Sequence, residues 1–288
     1  MALPCKHEDR VTKQIRPTVD LLKNMDQWHP NVLKQHGIEP VDYHGGLVFR
    51  SAVESIRGTY IASQTTGRQA LVKDVLDNMK QKSLISNYEQ RSSRQRYDFE
   101  VEIQAAPQYF CAIEVKGGEG NSINISDRPL WAQEFAVWSH LDGAVVNQPA
   151  HGAHSVINRI TNEMVKREKQ VDILFFKDLL CGTRARLCPK YQGQEDTVGL
   201  NTAPDVFLFP QQIPTLQDPK PPVHTLNTLR LPGLILDLFG IAPQARSAHV
   251  WEVEVEVMQH KSNMLKREVR IKHQGKIVDS SISRPWTP

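Results

Sequence analysis

Alternation of apolar and polar positions marks the middle of this chain. In the run Tyr97-Asp98-Phe99-Glu100-Val101-Glu102-Ile103, the three apolar residues after Asp98 share one face and the three acids share the other. The next run, Tyr109-Phe110-Cys111-Ala112-Ile113, is continuously apolar and reads as a buried strand. Between them Ala105-Ala106-Pro107-Gln108 has the chemistry of a turn, so the two runs predict an antiparallel hairpin. Residues 129–141 read as a helix, with Pro129 near its start and Trp131, Phe135 and Trp138 as its apolar stripe. A short strand is expected at 143–146. A second helix follows at 154–170, with Val156, Ile157, Ile160, Met164 and Val165 on one side, and then a strand at 171–176. Strand, strand, helix, strand, helix, strand is an α/β order with a mixed central sheet flanked by helices.

The flanks differ in character. Residues 1–95 read as a mainly helical N-terminal part, with helical spacing at 19–25, 47–60 and 67–82. The core occupies 96–180. Residues 181–248 are proline-rich and irregular, broken by a strand at 205–209 and an apolar segment at 234–239, and are expected to be functional or to cover an edge. The last part, 249–288, predicts an antiparallel β unit from 249–258, 266–273 and 276–283. The whole reads as one compact domain with embellishments.

Composition narrows the class without naming a function. The 288 residues suffice for a substantial core, and 40% hydrophobic against 23% charged residues is ordinary for a globular chain. No apolar run matches a membrane span, and residues 1–16 lack a signal-peptide core. Cys5, Cys111, Cys181 and Cys188 are scattered, which suits reduced thiols and a cytoplasmic location. The net charge of +3 permits nucleic-acid binding without arguing for it. Local clusters say more: Arg91, Arg94 and Arg96 enter the strand that carries Asp98, and further basic groups occur at 166–169 and 266–272. Each cluster is equally well a solvated face.

The chemistry concentrates on Glu114-Val115-Lys116, which ends the apolar run and is followed by Gly117-Gly118-Glu119-Gly120-Asn121. Glu114 and Lys116 project from one face of the strand while Val115 packs behind them. Folding about the turn places Asp98 opposite Glu114 or Val115, within one step of register; a slip of two would substitute Glu100. Asp98 and Glu114 can then hold a hard divalent cation such as Mg²⁺, and Lys116 can orient an attacking water. That is equipment for phosphodiester hydrolysis. The glycines would let a DNA backbone approach, with Asn121, Ser122 and Asn124 as hydrogen-bonding groups; a plain flexible turn is the competing reading.

Asp98 followed by Glu114-Val-Lys116 on the next strand resembles the active site of the PD-(D/E)xK nuclease superfamily, which includes type II restriction endonucleases. The resemblance covers about 97–176, and Tyr97 stands where that family usually has proline. It implies a restriction-endonuclease-like fold, Mg²⁺, double-stranded DNA as substrate and, for symmetric cutting, a homodimer; a structure-specific repair or recombination nuclease, or a non-catalytic DNA-binding module of the same fold, stands as the alternative. It also implies a preceding helix, supplied by 47–60, from which Glu54 could join the metal shell; a salt bridge to Arg50 or Arg57 is its commoner fate. Gln133 occupies the place where relatives put a polar residue facing the site. Pro204-Asp205 with Asp218-Pro219-Lys220 fits the literal motif better, yet Pro219 and its neighbouring prolines exclude a core strand there. His151, His154, Cys181 and Cys188 have spacing unlike common zinc modules.

Overall fold

The computed structural model describes residues 65–91, 97–117, 123–141, 153–178, 203–261 and 263–288, together with Pro17. Helix α1 (Thr65–Gln81) forms because Val72, Val75, Leu76 and Met79 recur at three- and four-residue spacing and bury one stripe. It ends at Ser83, whose φ of 56° lets the amide of Leu84 donate to the Met79 carbonyl at 2.9 Å.

Among the described residues nine strands lie side by side in chain order: β1 (Asn87–Gln90), β2 (Phe99–Ala105), β3 (Gln108–Gly117), β4 (Glu134–Leu141), β5 (Ile173–Asp178), β6 (Asp205–Leu208), β7 (Val250–Lys261), β8 (Met264–His273) and β9 (Lys276–Ile282). The sheet is mixed. β1, β2 and β3 form an antiparallel meander, while β3, β4 and β5 run parallel. β6 is antiparallel to β5 and parallel to β7, and β7, β8 and β9 form a second meander. The fold is therefore α/β with one large sheet and few helices among the described residues. The expected C-terminal antiparallel unit is present, and β6 joins it to the central strands.

Helices cover both faces. α1 and α3 (Leu231–Leu238) bury their stripes against Ile113, Val115, Trp138, Phe175 and Val206. On the other face α2 (Ala153–Arg167) packs Val156, Ile157, Ile160 and Met164 against Val137, Leu174, Phe207 and Val253. α2 links the parallel strands β4 and β5, the crossover that parallel pairing requires.

The helix expected at 129–141 is not formed. Leu130 and Trp131 form a turn and residues 134–141 are the central strand β4. Phe135-Ala136-Val137-Trp138 is buried on both sides, with Phe135 and Val137 facing α2 and Ala136 and Trp138 facing α1. A strand covered on both faces shows a continuous apolar run, and its bulky residues fell by chance on helical spacing. The segments 19–25, 47–60 and 143–146 lie outside the described residues. Among the described residues no helix is long and apolar enough to cross a membrane.

Candidate active site

The β2–β3 hairpin sets the register from which the site is built. Phe99 pairs with Ile113 and Glu100 with Ala112, so Asp98, one residue before β2, falls beside Glu114. Its amide donates to the Ile113 carbonyl at 2.9 Å. Its carboxylate then turns back onto β3: Oδ2 accepts from the amide of Val115 at 2.7 Å, and Oδ1 accepts from the Gln69 side chain on α1. Asp98 thus continues the ladder at the point where β2 has not yet begun, and it is tied to the backbone between Glu114 and Lys116.

Glu114 and Lys116 project from the face covered by α2. Lys116 Nζ lies 2.6 Å from Glu114 Oε1, and Glu114 is only 5% exposed. The loop from β3 to β4 closes over this carboxylate. Ser126 donates its amide to Oε2 at 3.0 Å and its hydroxyl to Oε1 at 3.1 Å. Ile123 and Ile125 bury beside it on the same face, which fixes the loop's approach. The pair sits at the carboxyl end of parallel β3, the end of an open α/β sheet at which ligands bind.

The donor set fits a hard divalent cation in its chemistry. Asp98 and Glu114 supply carboxylate oxygens, and each has one oxygen held by an exchangeable side-chain donor: Gln69 on Asp98, Lys116 on Glu114. A cation would displace those donors while the backbone amides of Val115 and Ser126 keep the second oxygens oriented. Among the described residues no group of three or more acidic, histidine or cysteine side chains converges.

Other expected positions fare differently. Glu54, Arg94, Arg96, Asn121 and Ser122 lie outside the described residues, as do His151, Cys181 and Cys188. Asn124 is exposed on the crossover loop. Gln133 does not face the site. Its amide donates to the Phe110 carbonyl at 3.0 Å and its Oε1 accepts from the Phe110 amide at 2.7 Å, at the opposite end of β3 from Lys116. It differs from the expectation because the segment it leads into is a strand running parallel to β3, not a helix. Glu100 is engaged by Arg91 at 2.6 Å, which also pairs with Glu89. His154 pairs with Asp279. Asp218 and Lys220 stand outside any strand, as their prolines require, and Lys220 pairs with Glu254 at 3.0 Å.

The later basic clusters are used mostly within the molecule. Arg167 pairs with Glu163, Lys169 with Asp127, Arg270 with Glu256 and Glu268, and Lys272 with Glu254. Lys166 lies over the Trp286 ring. Arg267 is 7% exposed and burial pushes its guanidinium down to about 10. Two residues that hold the carboxylates, Gln69 and Ser126, fall outside the sequence-based expectation. Gln69 and Ser126 carry no local signature because their partners lie 29 and 12 residues away. No family model, curated protein or solved structure matches this chain.

Proposed function

We propose that this chain is a Mg²⁺-dependent endonuclease hydrolysing phosphodiester bonds of double-stranded DNA, of the restriction type. The observation that carries the reading is the pair of buried Glu114 and half-buried Lys116 at the carboxyl end of β3, with Asp98 hydrogen-bonded to the residue between them. Asp98 and Glu114 are the residues that would hold Mg²⁺, which when bound neutralises charge developing at the scissile phosphate. Lys116 donates hydrogen bonds to the attacking water and to a phosphate oxygen, fixing the line of attack. The Ser126 amide keeps the Glu114 carboxylate turned toward that space, and the Val115 amide does the same for Asp98.

The test is cleavage of phage DNA by the purified chain with Mg²⁺. Discrete fragments are expected. Glu114→Ala and Lys116→Ala should each lower the rate by about a hundredfold or more, the usual loss of a group acting at the reacting centre. Wild-type rates from either variant would end the proposal.

A second reading rests on how fully Glu114 is occupied. Its two oxygens receive Ser126 and Lys116, so the carboxylate also anchors the crossover loop. On that reading the chain is a non-catalytic module, no divalent ion elicits cutting, and Glu114→Ala lowers the melting temperature with no activity to lose.

A further inference from the structure

Ser139 lies on β4 directly across the parallel register from Lys116, and across from Phe176 on β5. Paired residues of neighbouring strands share a face, so the Ser139 side chain emerges beside that of Lys116. It is 0% exposed, and its Oγ has no hydrogen-bond partner among the described residues. Val137, two residues earlier on the same face, and Phe176 are apolar. A buried hydroxyl without a partner is unfavourable, and such an atom calls for an explanation. Lys116 supplies one. Its Nζ now donates to Glu114 Oε1, and its four-carbon stem easily spans the roughly 5 Å between adjacent strands.

We propose that Ser139 is the alternative acceptor for the Lys116 ammonium. When a divalent cation takes Glu114 Oε1, the ammonium leaves that oxygen and donates to Ser139 Oγ. It is thereby kept at the site and does not swing into solvent. Ser139 is a positioning residue acting through Lys116. The inference rests on the reading of Glu114 as a cation ligand, and it explains why a hydroxyl is buried at this point of β4.

Mg²⁺ binding to the full chain without DNA, followed by isothermal titration calorimetry, tests it. Ser139→Ala should bind Mg²⁺ about tenfold more weakly than the parent, the loss of one hydrogen bond to a charged group. Ser139→Thr, which keeps the hydroxyl, should restore binding. In the Lys116→Ala background the serine substitution should make no difference, since the donor is gone. Unchanged affinity in Ser139→Ala overturns the inference, as does a loss that persists without Lys116. If the parent binds no Mg²⁺, both this inference and the assignment of Glu114 fall. If it binds Mg²⁺ with the predicted coupling and never cuts DNA, only the endonuclease reading falls.

Discussion

Glu134 opens β4 and sends its carboxylate across to α3, where it accepts from the amides of Arg230 and Leu231, the latter at 3.1 Å. The hydroxyl of Tyr109 donates to the same group at 2.9 Å, and Arg230 stacks over the Tyr109 ring at 4.2 Å. The carboxylate therefore caps the first turn of α3, where free amides favour negative charge. Burial nevertheless raises its pKa above the ordinary 4.5, and outweighs the donors that lower it. A raised folded-state value means that folding favours the protonated form. The contribution is complete below about 4.5 and is lost as pH rises through the folded value. Glu134→Gln, permanently neutral, removes that slope. Its unfolding free energy relative to the parent should improve as pH rises above 4.5, measured by urea titration at each pH. Glu134→Ala leaves three donors without an acceptor and should cost about 2 kcal/mol. Nothing near Glu134 in the sequence announces this role, because its helix partners lie 96 and 97 residues away. Asp98, Glu114 and Lys116 were legible because their relation is local: one hairpin and one alternation.

The link between β3 and β4 shows where local pattern stops being enough. Parallel neighbours need a crossover, and a helix was expected; instead residues 123–133 cross as an irregular loop pinned at three consecutive positions. Ser126 holds Glu114, Asp127 pairs with Lys169, and Arg128 meets the fully buried Asp172 at 3.1 Å. Asp172 also accepts from the Phe135 amide at 2.8 Å, so it ties the loop's exit to the first residues of β4. None of these pairs is periodic, and none is visible before the strands are in place. The two-residue period of β2 and the stripes of α1 and α2 were visible, because each buries one face. β4 buries both, and its run of apolar residues fits either element. Arg128→Ala leaves Asp172 buried with a smaller set of donors and releases the loop. Amides of 123–133 should then exchange faster by hydrogen–deuterium exchange, while those of β7 and β8 should keep their protection. Equal loosening throughout would show that Arg128 supports global stability and not the loop.

Among the described residues, strands in chain order leave two edges, and the two are unlike. β1 is four residues long and lies against α1, whereas β9 is seven residues long and exposes Ile277, Val278 and Ile282 at 57, 52 and 63%. An open edge with apolar side chains invites pairing with a second chain. Concentration-dependent self-association is therefore expected in sedimentation velocity. Val278→Lys, which puts a charge on the edge, should abolish it and change stability by no more than about 0.5 kcal/mol. The sheet spacing then decides what such a dimer could do. β3 lies six strand intervals from β9, about 29 Å at 4.8 Å each, so a β9-to-β9 pairing sets two β3 sites roughly 60 Å apart. That is nearly two turns of duplex at about 34 Å per turn, too far for one concerted double-strand cut within a short sequence. If the chain is the endonuclease proposed above, edge association and catalysis should accordingly separate, with Val278→Lys monomeric and its strand-cleavage rate per protomer equal to that of the parent. If cutting fell together with association, the catalytic assembly would have to include the β9 edge, and the two hairpin sites would have to act on separate targets.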